Sequence, residues 1–305
     1  MMKRNHILIF LVCVSVLLVA CGGSQKNVVE SPFVGGTNGA VAVFEPLSIQ
    51  ENGVDTIFDS DNFNMEVVLK NQGEEVIPKG KASLRLLGPP QSAFKNIPSW
   101  TLKNTEDIDK VTEFNLGGGE EAISFTPTQP ATYSPAVTGF HDITFNLEYT
   151  YDYKTHVIIS DVCFKGDITD PKVCEVKESK NAAVAGAPIT VTSVAQDTGG
   201  KGVILLKVDI SNAGQGKSTL IGEDFDKTGR FDQVSYTIDE PDKWKCSSGG
   251  REGEARLIDG KAQIICKLKK PLEESELYTK SVRLTLDYTY KELLLKQLRI
   301  KESAK

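Results

Sequence analysis

Six cysteines and three histidines are the side chains best suited to chemistry in this 305-residue sequence, and their spacing decides which chemistry. Cys13 lies inside an apolar run and Cys21 closes it. The other four form two pairs, Cys163 with Cys174 and Cys246 with Cys266, eleven and twenty residues apart. Zinc sites of the Cys₄ or Cys₂His₂ kind need tighter spacing or a nearby histidine, so no metal is expected. Disulfides suit the spacing better. Four cysteines allow three pairings, and the local one, Cys163–Cys174 with Cys246–Cys266, keeps each bond inside one half of the chain. Each closed loop would then stabilise the fold by roughly 3 kcal/mol through chain entropy. Histidine catalysis has little to work with. His6 sits at the N-terminus, His141 at a strand start and His156 inside a strand, with no serine or cysteine in a recognisable nucleophile turn.

Other reactive patterns also read as structure. AGQGKST (213–219) suggests a phosphate loop, but that motif needs glycine five residues before Gly216, where Ser211 stands. It also needs a following helix, and LIGEDFDKTGRF has no helical period. A Gly-rich turn between strands fits instead. Asp59 and Asp61 in FDSDNFN, and Glu223, Asp224 and Asp226 in GEDFDKTG, lack the sixth-position glycine of a twelve-residue calcium loop. They read as solvated loop charge, and CKLKK (266–270) as a solvated strand edge. No catalytic residue, cofactor site or metal ligand emerges, and the protein is expected not to be an enzyme.

Residues 1–20 read as a signal peptide. Lys3 and Arg4 precede fourteen apolar residues, Ile7–Ala20. As a helix these reach roughly 21 Å, short of a hydrocarbon core of about 30 Å. The run ends in Leu18-Val19-Ala20-Cys21, which resembles a lipobox. The resemblance implies cleavage before Cys21 and a diacylglycerol on its sulfur. Two acyl chains suffice for stable anchoring, at ~0.8 kcal/mol per buried methylene. An ordinary signal peptide cut after Ala20, or an uncleaved anchor, is the alternative. From Cys21 onward 33 bases face 41 acids, a charge of −8. That excludes nucleic acid as a partner and offers anionic headgroups no attraction, so membrane attachment rests on Cys21. Residues 21–40, rich in Gly, Ser and Asn, read as a flexible tether spanning roughly 24 Å.

Beyond residue 40 the period is two. Phe63, Met65, Val67 and Leu69 share one phase, as do Ile143, Phe145, Leu147, Tyr149 and Tyr151. Ile204, Leu206, Val208 and Ile210 repeat the first run, and Val282, Leu284, Leu286, Tyr288 and Tyr290 the second. Only Asn104–Phe114 and Lys270–Tyr278 suggest helical turns. Asn71 and Asn212, Gly73 and Gly214, and Gly119 and Gly260 keep one identical offset along the chain. The YTY triplets at 149–151 and 288–290, and Trp100 with Trp244, keep nearly the same one. Five ordered markers imply duplication of one unit. The tyrosines and tryptophans are expected in core packing.

Repeats of this size with many short strands predict β-sandwiches, with a closed barrel as the alternative. The fold class is therefore all-β: two tandem immunoglobulin-like sandwiches, 41–180 and 185–303, after the signal peptide and tether. LKVDISNAGQGKS and the YTY strands resemble CARDB-type immunoglobulin-like domains of surface proteins. The order of lipobox, PFVGGTNGAVAVFEPL and YTYDYKTHVIISDVCF is similar to archaeal surface lipoproteins. These resemblances imply an extracytoplasmic, membrane-anchored binding or spacer module with a protein partner. The alternative is a solute-capturing accessory lipoprotein. Cys163–Cys174 and Ile221–Phe231 differ between the repeats and are the expected partner-binding loops.

Overall fold

The computed structural model of the chain describes residues 31–170, 173–225 and 232–304. The expected signal peptide, Cys21 and residues 21–30 of the expected tether lie outside them. Among the described residues, alternating sequence becomes twenty-one strands, and the one helix is a single 3-10 turn, Gln91–Ala93. No helix forms over 104–114 or 270–278. Asn104 explains the first case. Its buried carboxamide accepts from the Ala82 N–H and donates to the Pro78 and Glu106 carbonyls, fixing the chain in a turn.

The expected apolar phases are the buried ones. Met65, Val67 and Leu69, and likewise Leu206, Val208 and Ile210, are closed off from solvent. The first group lies near a three-stranded sheet of Ala40–Phe44, Glu66–Asn71 and Glu120–Ser124. The second lies in a five-stranded sheet containing Ile189–Thr198, Ile204–Asn212, Lys261–Leu268 and Trp244–Ser247. Both sheets share one core with the inner face of a ten-stranded sheet, which contributes Leu84, Phe145, Leu147, Leu284 and Leu286. The result is an all-β, multi-sheet, sandwich-type fold.

The ten-stranded sheet is built on two long strands, Phe140–Lys165 and Leu277–Lys301. They pair antiparallel from Phe140 opposite Lys301 to Lys165 opposite Leu277, with one irregularity between Ile159 and Val162. At ~3.3 Å per residue this ribbon is about 80 Å long. Ala82–Gly88 flanks the first long strand and Gln233–Ile238 the second. The boundaries 41–180 and 185–303 do not convey this sharing. Phe140–Lys165 starts in the first half and ends against Gln196 and Trp244 of the second. Leu277–Lys301 starts in the second half and ends beside Val54–Phe58 of the first, in a parallel pairing. From Phe33 onward the chain clusters as one compact unit.

The repeat reappears as hydrogen bonds. Asn71 Oδ1 accepts from the Gly73 N–H (3.2 Å) and the Tyr153 hydroxyl (3.0 Å), and the Asn71 N–H donates to the Gly119 carbonyl (2.9 Å). Asn212 Oδ1 accepts from the Gly214 N–H (3.1 Å) and the Tyr290 hydroxyl (2.8 Å), and its N–H donates to the Gly260 carbonyl (2.8 Å). The asparagine and glycine markers are thus structural equivalents. The tyrosines correct the YTY alignment, because the equivalent of Tyr290 is Tyr153 and not Tyr151. Tyr151 faces Tyr290 and Tyr153 faces Tyr288, so a local two-fold axis passes at Asp152 and Thr289. Trp100 and Trp244 are not equivalents. Trp100 leads into Thr101–Lys103 of the ten-stranded sheet, whereas Trp244 opens a strand of the five-stranded one.

The last part of the expected tether is bound. Buried Glu74 accepts the N–H groups of Val34 (2.8 Å), Gly35 (2.8 Å) and Gly186 (2.6 Å). The Gly36 carbonyl accepts from Ala187, and the Gly39 carbonyl from Gln72. A buried carboxylate taking three backbone donors is a strong local tie, so residues 34–39 form a strap on the folded body.

Candidate interaction surface

Tyr149, Tyr151, Tyr153, Tyr288 and Tyr290 are buried along the inner side of the long ribbon. Burial pushes the phenol groups of all five well above the ordinary range, with the nearby Glu292 adding to it for Tyr149 and Tyr151. They stay neutral: all five act in packing, and all but Tyr151, whose hydroxyl has no partner among the described residues, also hydrogen-bond. The Tyr153 hydroxyl accepts from the Glu75 N–H, and that of Tyr290 from the Gly216 N–H. These bonds also explain AGQGKST. Its Gly214 and Gly216 N–H groups are spent on Asn212 and Tyr290, and neither is left to cradle a phosphate. Glycine is required sterically, since a Cβ at Gly214 would lie 2.4 Å from the Tyr290 hydroxyl, and one at Gly73 2.2 Å from that of Tyr153.

The two disulfides join Cys163 to Cys174 and Cys246 to Cys266. The second staples directly opposed residues of neighbouring strands. The first holds a loop around Lys165, which is buried and donates to the carbonyls of Asp170 (2.6 Å) and Cys174 (2.5 Å). Ile168, Val176 and Thr198 line a pocket of about 450 Å³ beside it. Two disulfides fit an oxidising, extracytoplasmic compartment. No helix among the described residues is long and apolar enough to cross a membrane.

The remaining sequence candidates occupy separate places. Asp59 accepts from the N–H and hydroxyl of Ser303, which holds its carboxyl below the usual range. Asp61 accepts from the Phe58 N–H. His156 meets Glu75 at 3.1 Å, and His141 lies beside the Tyr133 ring. Within CKLKK, Lys269 donates to the Pro241 carbonyl. No group of three metal-capable side chains comes together among the described residues. Of Ile221–Phe231, the described part ends at Phe225, whose ring lies 4.1 Å beneath the Lys291 ammonium.

Sequence reasoning missed the outer face of the shared sheet. Arg85 meets Glu148 at 3.0 Å, and Lys291 meets the same carboxylate at 3.5 Å. Lys81 pairs with Asp152 and Lys154 with Asp287 across adjacent strands. Arg85, Thr101, Glu148, Phe225, Thr289 and Lys291 line an open groove of about 560 Å³ at the two-fold axis. Exposed pairs of this kind add little stability. Glu223 and Asp224 line the groove as well, so charges of both signs meet there and the face offers polar contacts. The only signal for it was the polar phase of each strand, which does not say which charges become neighbours. No protein-family model and no curated protein matches the sequence.

Proposed function

We propose that this protein is a lipid-anchored, extracytoplasmic module that binds or spaces partner proteins at the cell surface without catalysing a reaction. The observation that carries the reading is the shared ribbon Phe140–Lys165/Leu277–Lys301. A strand pair of about 80 Å that belongs to both halves couples them into one stiff unit, which suits a spacer. CARDB-like ancestry of the repeats and acylation of Cys21 complete the reading. The strap at Glu74 adds a geometric limit: its first bonded residue, Val34, is thirteen positions beyond Cys21, so at most about 47 Å of chain lies between the two.

The experiment is fractionation and co-purification from native membranes. Wild type is expected in the membrane fraction, with an intact mass lacking residues 1–20 and carrying a diacylglycerol, together with specific protein neighbours. Cys21→Ala is expected to lose the membrane fraction or to remain uncleaved. A mature chain with a free Cys21 thiol, or a membrane preparation that yields no reproducible neighbour, refutes the reading.

A further inference from the structure

The second long strand has a gap along its outer edge. Lys217–Thr219 pairs with 289–291 and Val54–Phe58 with 298–301, while Glu292–Gln297 pairs only with the first long strand on its other side. Which backbone groups face the gap follows from strand parity. The carbonyls of Arg283, Asp287 and Lys301 accept hydrogen bonds from beyond the outer edge, donated by Asp239 N–H, Ser235 Oγ and Asp59 N–H. Odd-numbered residues therefore turn their N–H and C=O outward, and Leu293, Leu295 and Gln297 present theirs to the gap. Among the described residues no backbone partner meets them. The leucine side chains are also uncovered, at 64% and 63% exposure.

The local two-fold shows what such a gap accommodates. The equivalence that carries Tyr290 onto Tyr153 carries 294–296 onto 157–159 of the first long strand. There the edge is filled, because Ala182–Val184 pairs antiparallel with Val157–Ile159. The flanking bonds run from Ala185 N–H to the His156 carbonyl and from Ser160 N–H to the Asn181 carbonyl. In the first half the corresponding chain, residues 34–39, is instead diverted to Glu74 and Ala187. The open edge is thus the unfilled copy of an occupied strand position.

We propose that the edge Glu292–Gln297 binds an extended peptide segment of a partner protein as an added antiparallel strand. The proposal deepens the binding-module reading and rests on it. The surroundings of the gap set the occupant's chemistry. Strands on both sides limit it to about six residues, which bars a second copy's long strand from entering. Small aliphatic side chains fit, as in the filled position. Its amino-terminal end would meet Asp55, a fully buried residue lining a pocket of about 420 Å³ with Leu295, Lys296 and Gln297. Asp55 Oδ2 takes the Leu47 N–H and the Lys296 ammonium, but Oδ1 has no donor. A donor side chain at that end, such as asparagine, serine or lysine, suits the pocket beside this carboxylate.

The test uses the full mature protein in detergent and, as probe, a labelled synthetic peptide of the chain's own segment 180–186, KNAAVAG, which fills the equivalent position. Anisotropy titration is expected to show saturable binding below about 1 mM. Leu295→Pro, which removes one outward N–H and leaves the inner pairing intact, is expected to weaken binding about tenfold or more. Should that variant misfold, the peptide supplies the control: N-methylation at its Ala183, which faces the edge, abolishes binding, and N-methylation at Ala182 does not. Hydrogen exchange at Leu293 and Leu295 is expected to slow only when the peptide is added. No binding at about 1 mM, indifference to the methylation pattern, or concentration-dependent protection without peptide overturns the proposal. The first result would leave inward-facing Glu292 and Lys296 as guards against strand pairing. None of these failures would remove partners recovered from native membranes through another surface, so the two readings fail separately.

Discussion

Replacing Asn71 by alanine tests whether the duplicated Asn-x-Gly turns are held by the same bonds at different depths. Asn71 is fully buried, and its side chain makes four hydrogen bonds, to Gly73 N–H, Tyr153 hydroxyl, Glu75 carbonyl and Ile108 carbonyl. Alanine leaves those groups without partners in a site water does not reach. Each such group costs about 1–3 kcal/mol. If two of the four find no substitute, the loss is about 4 kcal/mol. For a body of this size 1 kcal/mol moves Tm by about 2–4 °C, so a fall of about 8–16 °C is expected. Asn212 makes the equivalent bonds to Gly214, Gly216 and Tyr290, but it is half-buried. Water replaces part of what alanine removes, and the expected loss is about 1–2 kcal/mol. Differential scanning calorimetry on the two variants measures both values, with circular dichroism as the check on folding. Equal losses, or a larger one at Asn212, would refute burial as the source of the difference.

The shared ribbon predicts one cooperative thermal transition, since neither half can lose its long strand without disrupting the other; two separated calorimetric peaks would contradict it. Burial raises the Glu292 carboxyl above its ordinary range, with the Tyr149 hydroxyl bond offsetting part of the shift. The fold thus favours the neutral form, and this contribution is full below the unfolded value of about 4.3 and lost as pH rises through the folded one. Glu292→Gln is expected to melt higher than wild type at about pH 7 and to match it near pH 3.5, as read by Tm against pH; an unchanged gap across that range would exclude Glu292. Glu74→Ala removes the acceptor for Val34, Gly35 and Gly186, and limited proteolysis is expected to cut residues 33–39 in the variant but not in wild type.

Much of this architecture is local and therefore legible in the sequence. Burial on one face of a strand imposes a period of two, which marks Met65–Leu69, Phe145–Tyr151, Leu206–Ile210 and Val282–Tyr290 without reference to any partner. The turns at Asn71 and Asn212 are equally local, since each asparagine bonds to the N–H two residues ahead. The pairs Cys163–Cys174 and Cys246–Cys266 lie close enough along the chain to be among the few pairings counted from sequence. Tertiary structure alone decided which strand lies beside which. Alternation states which side chains point inward, but the register of Phe140–Lys165 against Leu277–Lys301 joins residues as distant in the chain as Phe140 and Lys301. That pairing turned two repeats into halves of one sheet, moved the equivalent of Tyr290 from Tyr151 to Tyr153 and drew Arg85, Glu148 and Lys291 together. The strap at Glu74 and the open edge at Leu293 and Leu295 follow for the same reason. Both depend on whether another part of the chain arrives to pair, and no local period records that arrival.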